Sequence, residues 1–145
     1  MLNAKILLAS MLATFALNSA ASAAEHNELL VHASGFKHAA GHAVAKLFQP
    51  GDDVLGKGRW QLVAPIQDGR ANFQFFDLPT GAYALIVFHD ENDNGEIDHN
   101  LLHLPSEELG FSNGFVPGLV TGLPSFDKLR FEHADAMQRM EVTVK

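Results

Sequence analysis

The residues that most clearly suit a chemical role lie in the segment 90–98, Asp-Glu-Asn-Asp-Asn-Gly-Glu-Ile-Asp. Oxygen-bearing side chains alternate at Asp90, Asn92 and Asn94, and Gly95 then permits a sharp turn of the backbone. Hard cations such as Ca²⁺ prefer oxygen ligands in a loop of this kind. The spacing therefore predicts a calcium site, and calcium is the one cofactor that we expect.

Compared with an EF-hand, the segment has suitable residues at the first, third, fifth, sixth, seventh and ninth positions. Its twelfth residue is Leu101 instead of a bidentate glutamate, and an apolar strand pattern precedes it, so it is not an EF-hand. Glu107 or Glu108 would supply the missing carboxylate, and we assign Glu107. The candidate ligands are Asp90, Asn92, Asn94, Glu96 through its carbonyl, Asp98 and Glu107. The alternative is a polar turn in which Asp and Asn side chains cap their own backbone.

Histidines suggest a second kind of metal chemistry. His89 precedes the acidic loop, and His99 and His103 follow it. Imidazoles combined with carboxylates suit Zn²⁺ or another transition metal, so the alternative function is a small metal-dependent enzyme or a metal-handling protein. A separate site is conditional on processing. If cleavage follows Ala23, the new terminus 24–26 (Ala-Glu-His) would bind Cu²⁺ or Ni²⁺.

No catalytic residue is assigned. Ser112 lies in Gly-Phe-Ser-Asn-Gly at 110–114, whose glycine spacing is wrong for a nucleophile elbow, so we expect its side chain to bond to the backbone. Tyr83 is the single tyrosine of the chain, and its turn context predicts a structural role. These observations favour a non-catalytic binding or accessory module.

The N-terminus has the pattern of a secretory signal peptide. Lys5 precedes the apolar run 6–17, and Ala-Ser-Ala at 21–23 is a typical cleavage signal. We expect cleavage after residue 23 or 24, an exported protein that is periplasmic or extracellular, and no membrane insertion after signal removal. Residues 24–145 would form one domain. Since the chain has no cysteine, that domain cannot depend on disulfides.

The charge balance restricts the partners. The chain has 10 Lys and Arg against 17 Asp and Glu, a net charge of −7. Removing Lys5 with the signal leaves 9 against 17, or −8. A surface of this sign repels phosphate backbones, so nucleic acid is not an expected partner. The remaining expectation is an unidentified protein or glycan ligand at the cell envelope.

The hydrophobic pattern predicts an all-β fold. Polar and apolar side chains alternate with a period of two in several short runs separated by Gly, Pro, Asn and Asp. The expected strands are 29–33, 43–48, 59–62, 72–75, 83–88, 128–132 and 140–144. We expect a single β-sandwich of about seven strands, with 83–88 as the central strand and the first two strands forming a hairpin. The long loop 90–124 after the central strand would be functional or ion-ordered, with a short helix near 106–109.

The segment 78–83, Leu-Pro-Thr-Gly-Ala-Tyr, predicts a tight turn that enters the central strand. Pro79 fixes its own backbone angle, Gly81 adopts conformations forbidden to other residues, and the Tyr83 hydroxyl would reach a backbone group. This turn resembles the one before a core strand in transthyretin-like and collagen-adhesin B-type sandwiches, and also a tyrosine corner. It points to a transthyretin-like or immunoglobulin-like sandwich.

Four motifs occur in order along the chain. They are Phe76-x-Leu78-Pro79-x-Gly81-x-Tyr83-Ala84, His89-Asp90-Glu91-Asn92-x-Asn94-Gly95-x-x-Asp98, Pro105-x-Glu107-x-x-Gly110-Phe111-Ser112-Asn113 and Pro124-Ser125-Phe126. This series resembles the exported bacterial family catalogued as domain of unknown function 2141, over nearly the whole mature chain. The resemblance implies a compact exported β-sandwich and supplies no established activity. The sequence departs from the family pattern at His103, where glycine is more usual.

Overall fold

A computed structural model of the chain describes residues 27–102, 104–134 and 136–145. The predicted signal peptide, the Ala-Glu-His segment at 24–26 and His103 lie outside the described residues. The strands are β1 Glu28–Ser34, β2 His42–Phe48, β3 Trp60–Ala64, β4 Arg70–Phe75, β5 Gly81–Asp90, β6 Leu109–Phe111, β7 Phe131–His133 and β8 Met137–Thr143. A 3₁₀ turn spans Ser112–Gly114, and the short helix α1 spans Phe126–Leu129.

The eight strands form two packed sheets, so the predicted all-β sandwich is confirmed with one strand more than expected. The smaller sheet has the order β4-β1-β8, with β1 and β8 parallel. The larger sheet has the order β3-β2-β5-β6, with β7 paired to the beginning of β5. All pairs of the larger sheet are antiparallel. β5 therefore has a neighbouring strand on each side, and the prediction of 83–88 as the central strand is confirmed.

β5 is buried on both faces. Leu85 and Val87 join the core between the two sheets, whereas Ala84 and Ile86 join a second cluster on the outer face of the larger sheet. Two parts of the chain cover that outer face: the segment that follows β5, which contributes Phe111, and α1, which contributes Leu129. This double burial explains why the sequence of β5 is almost continuously apolar.

Two local predictions were wrong. β1 and β2 do not form a hairpin, because β1 pairs with β4 and β8 while β2 pairs with β3 and β5 in the other sheet. The connection 35–41 crosses between the sheets, a path that two adjacent apolar runs cannot distinguish from a hairpin. The predicted helix near 106–109 is also absent from the described structure. Leu109 begins β6, whose residues pair with Ile86, Val87 and Phe88 of β5.

The run 128–132 was only partly predicted. Its first two residues are the last two of α1, and β7 begins after Arg130, so the run does not form one strand. The Ser125 carbonyl accepts the N–H groups of Lys128 and Leu129, which closes the single helical turn. Within the described part of the chain, no helix has the length and apolar character needed to cross a membrane.

Candidate metal-binding site

The candidate site is built on the end of β5. Its last two residues, His89 and Asp90, are 1% and 3% exposed. Side chains alternate along a strand, so His89 continues the series of Leu85 and Val87 toward the space between the sheets, and Asp90 continues that of Ala84 and Ile86 on the outer face. The two polar residues therefore lie on opposite faces of the larger sheet.

The loop that follows β5 folds around the Asp90 carboxylate. The N–H of Asn94 donates to Asp90 Oδ1 at 3.1 Å, and the N–H of Gly95 donates to Oδ2 at 2.7 Å. Asp93 and Gly95 have positive φ angles of 60° and 74°, which reverse the chain within a few residues. Both oxygens of a buried carboxylate are thus held by backbone donors of the segment that the sequence singled out.

Two side-chain amides connect the start of this loop to Asp98. Asn92 Nδ2 donates to Asp98 Oδ2 at 2.6 Å, and Asn94 Nδ2 donates to Asp98 Oδ1 at 2.9 Å. The Oδ1 atoms of Asn92 and Asn94 accept the N–H groups of Asn94 and Glu96. An amide oxygen has two lone pairs, so each Oδ1 keeps one for a cation after accepting one hydrogen bond.

Glu107 approaches the loop from the other end of the long segment. Its Oε2 accepts the N–H of Asp98 at 3.2 Å, and the N–H of Ser106 donates to the Asp98 carbonyl at 2.8 Å. Burial raises the pKa of the Glu107 carboxyl, and the negative charges of Asp98 and Asp90 raise it further. Backbone N–H groups of Asp98 and Glu91 act in the opposite direction. The carboxylates therefore lie close enough to repel one another.

The structure thus brings together five of the six predicted ligands through their side chains: Asp90, Asn92, Asn94, Asp98 and Glu107. Glu96 lies on the same loop with an exposed side chain. Glu108, the other carboxylate considered for closing the site, instead forms an ion pair with Lys37.

The sequence reading missed Lys46, which is only 4% exposed. It lies on the outer face of β2, with Nζ 5.1 Å from the centre of the Phe88 ring. Burial lowers the pKa of Lys46, and the charges of Glu96, Asp90 and Glu107 oppose that shift. The signal was present in the sequence as a lone lysine inside the apolar run of β2.

The structure groups His89 with His38, which the sequence did not suggest as its neighbour. His89 lies with His38 and Glu91, and one donor atom from each of the three lies within 4.8 Å of the other two. His99 is exposed and forms an isolated bridge with Pro105. His38 lies on the connection between β1 and β2, and no spacing rule links it to residues fifty positions later.

Comparison with known proteins settles the family. The family model described as "uncharacterized protein conserved in bacteria", domain of unknown function 2141, matches residues 31–141. The chain belongs to this family. The matched range includes the whole Asp90 loop, Glu107 and the residues of the His89 group, so the candidate site lies inside the domain of unknown function 2141. Comparisons with curated proteins and with solved structures gave no match.

Tyr83 and Ser112 have the structural roles that their sequence context predicted. The Tyr83 hydroxyl donates to the Pro79 carbonyl at 2.8 Å, which is the corner expected from the turn sequence. Ser112 Oγ accepts the N–H of Leu85 at 3.0 Å and donates to the Leu129 carbonyl at 2.5 Å. It fills the gap on the edge of β5 between the residues that pair with β7 and those that pair with β6.

A cleft of about 460 Å³ adjoins the candidate site. Glu107 lines it, together with Phe115 and Val116 from the long segment and Glu141 and Lys145 from the C-terminal end. The wall is therefore part apolar and part charged, and it shares Glu107 with the Asp90 loop. A ligand in this cleft would contact a residue that also bonds to the loop.

Proposed function

We propose that this chain is an exported, non-catalytic binding module in which one Ca²⁺ ion orders the segment after β5. The observation that carries the proposal is the buried Asp90 carboxylate, which is held by the N–H groups of Asn94 and Gly95. These donors lie four and five residues after Asp90, the fifth and sixth positions of a loop whose first residue would bind the ion. Asp98 and Glu107 add two carboxylates on the open side.

The electrostatics of the loop favour a bound cation. Asp90 and Asp98 both raise the pKa of Glu107, which means that the ionised carboxylates destabilise one another. A divalent cation between them would remove that repulsion. Lys46 offsets it less well, because burial lowers the pKa of Lys46 and so disfavours its charged form. Oxygen atoms from carboxylates and side-chain amides are the ligands that Ca²⁺ takes in proteins.

Exposed apolar side chains on the long segment 90–124 also support the binding role. Large apolar side chains are exposed along the long segment, with Leu101, Leu119 and Val120 each 100% exposed or more. We take these side chains as candidates for an interaction surface, because contiguous exposed apolar patches mark such surfaces. Together with the cleft beside Glu107, they support a protein or glycan ligand at the cell envelope. Export itself rests on the signal-peptide pattern of the sequence.

The competing explanation is a polar turn that binds no ion. It is favoured by the Asn92 and Asn94 side chains, whose amide nitrogens point at Asp98 and satisfy its carboxylate. The two explanations make opposite predictions about calcium. If the loop binds Ca²⁺, replacing a ligand must remove the stability that the ion gives to the protein. If the loop is a self-bonded turn, the ion gives the protein no stability.

The test is a thermal melt of metal-stripped protein with and without millimolar Ca²⁺. At about a hundredfold excess over the dissociation constant, binding adds about 2.7 kcal/mol to the free energy of unfolding. We expect Asp90→Asn and Asp98→Asn to abolish this increase. Asp93→Asn is the matched control, because Asp93 lies in the same loop, pairs with His42 and tolerates asparagine at its positive φ.

Three results are informative. An increase that is specific for Ca²⁺, lost in the two ligand variants and kept in Asp93→Asn supports the calcium site. An equal increase in all four proteins places the ion elsewhere and refutes the assignment. No increase for the unaltered chain at 10 mM Ca²⁺, about ten times the weakest dissociation constants of extracellular modules, establishes the polar turn.

A further inference from the structure

We propose a second metal site, formed by His38, His89 and Glu91, that binds a borderline divalent transition metal ion of the Zn²⁺ class. One donor atom of each residue lies within 4.8 Å of the other two. Among residues 27–102, 104–134 and 136–145, this is the one group of three or more His, Asp and Glu residues whose donor atoms are this close. The two proposed sites share no ligand, although Glu91 lies between Asp90 and Asn92 in the sequence.

The backbone is shaped to bring these residues together. Gly41, with a φ of 67°, ends the connection that carries His38 from one sheet to the other. A Cβ atom at Gly41 would lie 2.1 Å from the Asp90 carbonyl oxygen and 2.7 Å from Glu91 Cα. Only glycine permits this approach, and the next residues pair in register with the end of β5, Ala43 opposite His89. The position of His38 over His89 therefore depends on the close packing of Gly41.

His89 is prepared for metal binding by its hydrogen bonds. Its Nε2 lies 2.6 Å from the Ala40 carbonyl oxygen, and because a carbonyl can only accept, Nε2 carries the hydrogen. Nδ1 is then an unprotonated nitrogen with a free lone pair. It is buried and has no hydrogen-bond partner. A histidine that ligates a metal through one nitrogen and donates its other N–H to a backbone carbonyl has this same arrangement.

His38 and Glu91 supply the accessible side of the site. His38 Nε2 lies 3.3 Å from Glu91 Oε1, and their side chains are 48% and 55% exposed. The His38 and His89 rings are 4.6 Å apart between centroids. A metal ion entering from solvent would lie between His38 Nε2 and Glu91 Oε1. Three protein ligands leave a tetrahedral ion one position for water.

The ligand types decide the class of metal. Two imidazoles and one carboxylate suit Zn²⁺, Cu²⁺ or Ni²⁺, whereas Ca²⁺ requires more oxygen ligands than this face offers. His133 is a useful contrast, because its Nε2 is also buried without a partner. Its Nδ1 bonds to Gln138, and no group of close metal donors includes it in the described structure. The unpartnered ring nitrogen carries weight at His89 because His89, unlike His133, belongs to a group of close metal donors.

The experiment is a calorimetric titration of the metal-stripped chain with Zn²⁺, in the presence of saturating Ca²⁺ so that the Asp90 loop is occupied. Every variant carries His26→Ala, which removes the N-terminal Ala-Glu-His segment as a competing site. His38→Ala and Glu91→Gln are the test variants, and both change exposed side chains. His32→Ala is the matched control, because His32 bonds to Asn72 and is not part of the group.

We expect one Zn²⁺ ion per chain and a loss of affinity of at least about tenfold in His38→Ala and in Glu91→Gln, with no change in His32→Ala. The His89 Nδ1 resonance should also shift when Zn²⁺ is added, which a purely structural histidine would not show. Absence of binding in the His26→Ala background would overturn the proposal. Binding that the two test variants leave unchanged would overturn it equally. Asp90→Asn should keep its Zn²⁺ affinity, so failure of the calcium proposal does not affect this one.

Discussion

The two faces of the larger sheet differ where β5 ends. On the outer face, Asp90 is surrounded by backbone N–H groups and oxygen-bearing side chains of its own loop. On the inner face, His89 meets a second imidazole, which the crossing connection brings from far away in the sequence. The comparison teaches that consecutive strand residues can build separate sites. One strand end places an oxygen-rich group and an imidazole-containing group on opposite faces because its side chains alternate between faces.

The two faces also differ in how well their polar groups are partnered. Both oxygens of Asp90 accept hydrogen bonds within the loop, whereas Nδ1 of His89 has no partner. The outer site can therefore persist as a turn without an ion, and an ion would mainly relieve repulsion among carboxylates. The inner site leaves a buried lone pair that a metal would satisfy.

The largest expected effect is that of Gly41→Ala, which would break both faces together. The new Cβ must move the Asp90 carbonyl or the connection 35–41, and alanine is disfavoured at this positive φ. We expect a loss of about 2–4 kcal/mol in the free energy of unfolding, measured by denaturant titration. The responses to Ca²⁺ and Zn²⁺ should both weaken.

Gly51→Ala is the control for that change. Gly51 also has a positive φ, of 91°, but a Cβ there meets nothing within 4 Å. It should cost only the backbone strain, about 1–2 kcal/mol, and leave both ion responses intact. If Gly41→Ala behaved like Gly51→Ala, the close approach of the connection to β5 would not be what positions the two sites.

A smaller loss is expected for Ser112→Ala, which should leave both faces unaltered as metal sites. The change removes the acceptor of the buried Leu85 N–H and the donor to the Leu129 carbonyl. We expect a destabilisation of about 2–3 kcal/mol that is the same with and without either ion. Ser125→Ala is the matched control, because Ser125 makes no side-chain capping bond. A change in Ca²⁺ affinity in Ser112→Ala would show that the anchoring of β5 and the loop are coupled.

Lys46→Met would sharpen the comparison by acting on one face alone. The Lys46 charge interacts with Glu96, Asp90 and Glu107, so it opposes the entry of a cation into the loop. Without it, we expect Ca²⁺ to bind on the order of threefold to tenfold more tightly, with less gain at high salt, and Zn²⁺ affinity to stay unchanged. Calorimetry measures both affinities. Lys57→Met, which removes an exposed lysine, should change Ca²⁺ affinity by less than about twofold. Weaker Ca²⁺ binding in Lys46→Met would contradict a site beside this lysine.

Local patterns predicted what local contacts determine. The alternation of most strands and the Tyr83 corner depend on neighbours within a few residues, and both were predicted correctly. The hairpin of β1 and β2 was wrong because the path of a connection between sheets depends on the whole core. Gly41 carried the missing signal, since a glycine at a crossing point permits an approach that other residues prevent.

The same distinction applies to the candidate sites. Glu107 could be proposed for the loop because few carboxylates were within reach along the chain. The grouping of His38 with His89 could not, because β2 places them together only through its pairing with β5. Sequence proximity instead suggested His99 and His103. Lys46 was overlooked because a lysine in a strand is usually exposed, and its burial here follows from the segment that covers the outer face.

The smallest effect, and the one most specific to the outer face, is expected for Glu107→Gln. Burial and the charges of Asp98 and Asp90 raise the pKa of Glu107 in the folded protein. A raised carboxyl pKa means that the folded state holds the proton more tightly than the unfolded state does. The associated stability is present below the ordinary glutamate pKa, about 4.3, and is lost as the pH rises through the higher folded value. At neutral pH the ionised side chain therefore destabilises the metal-free protein.

Glutamine keeps the oxygen that accepts the Asp98 N–H and removes the charge. Metal-free Glu107→Gln should be more stable than the unaltered chain at pH 7.5, by less than about 1 kcal/mol because the group is partly solvated, and the difference should vanish near pH 4. With saturating Ca²⁺ the order should reverse at pH 7.5, since the ion then loses a carboxylate ligand. Thermal melts of both proteins at the two pH values, with and without Ca²⁺, measure the stability difference under each of the four conditions. A stabilisation that persists unchanged in Ca²⁺ would mean that Glu107 repels its neighbours without binding the ion, and Asp90, Asn92, Asn94 and Asp98 would have to hold it alone.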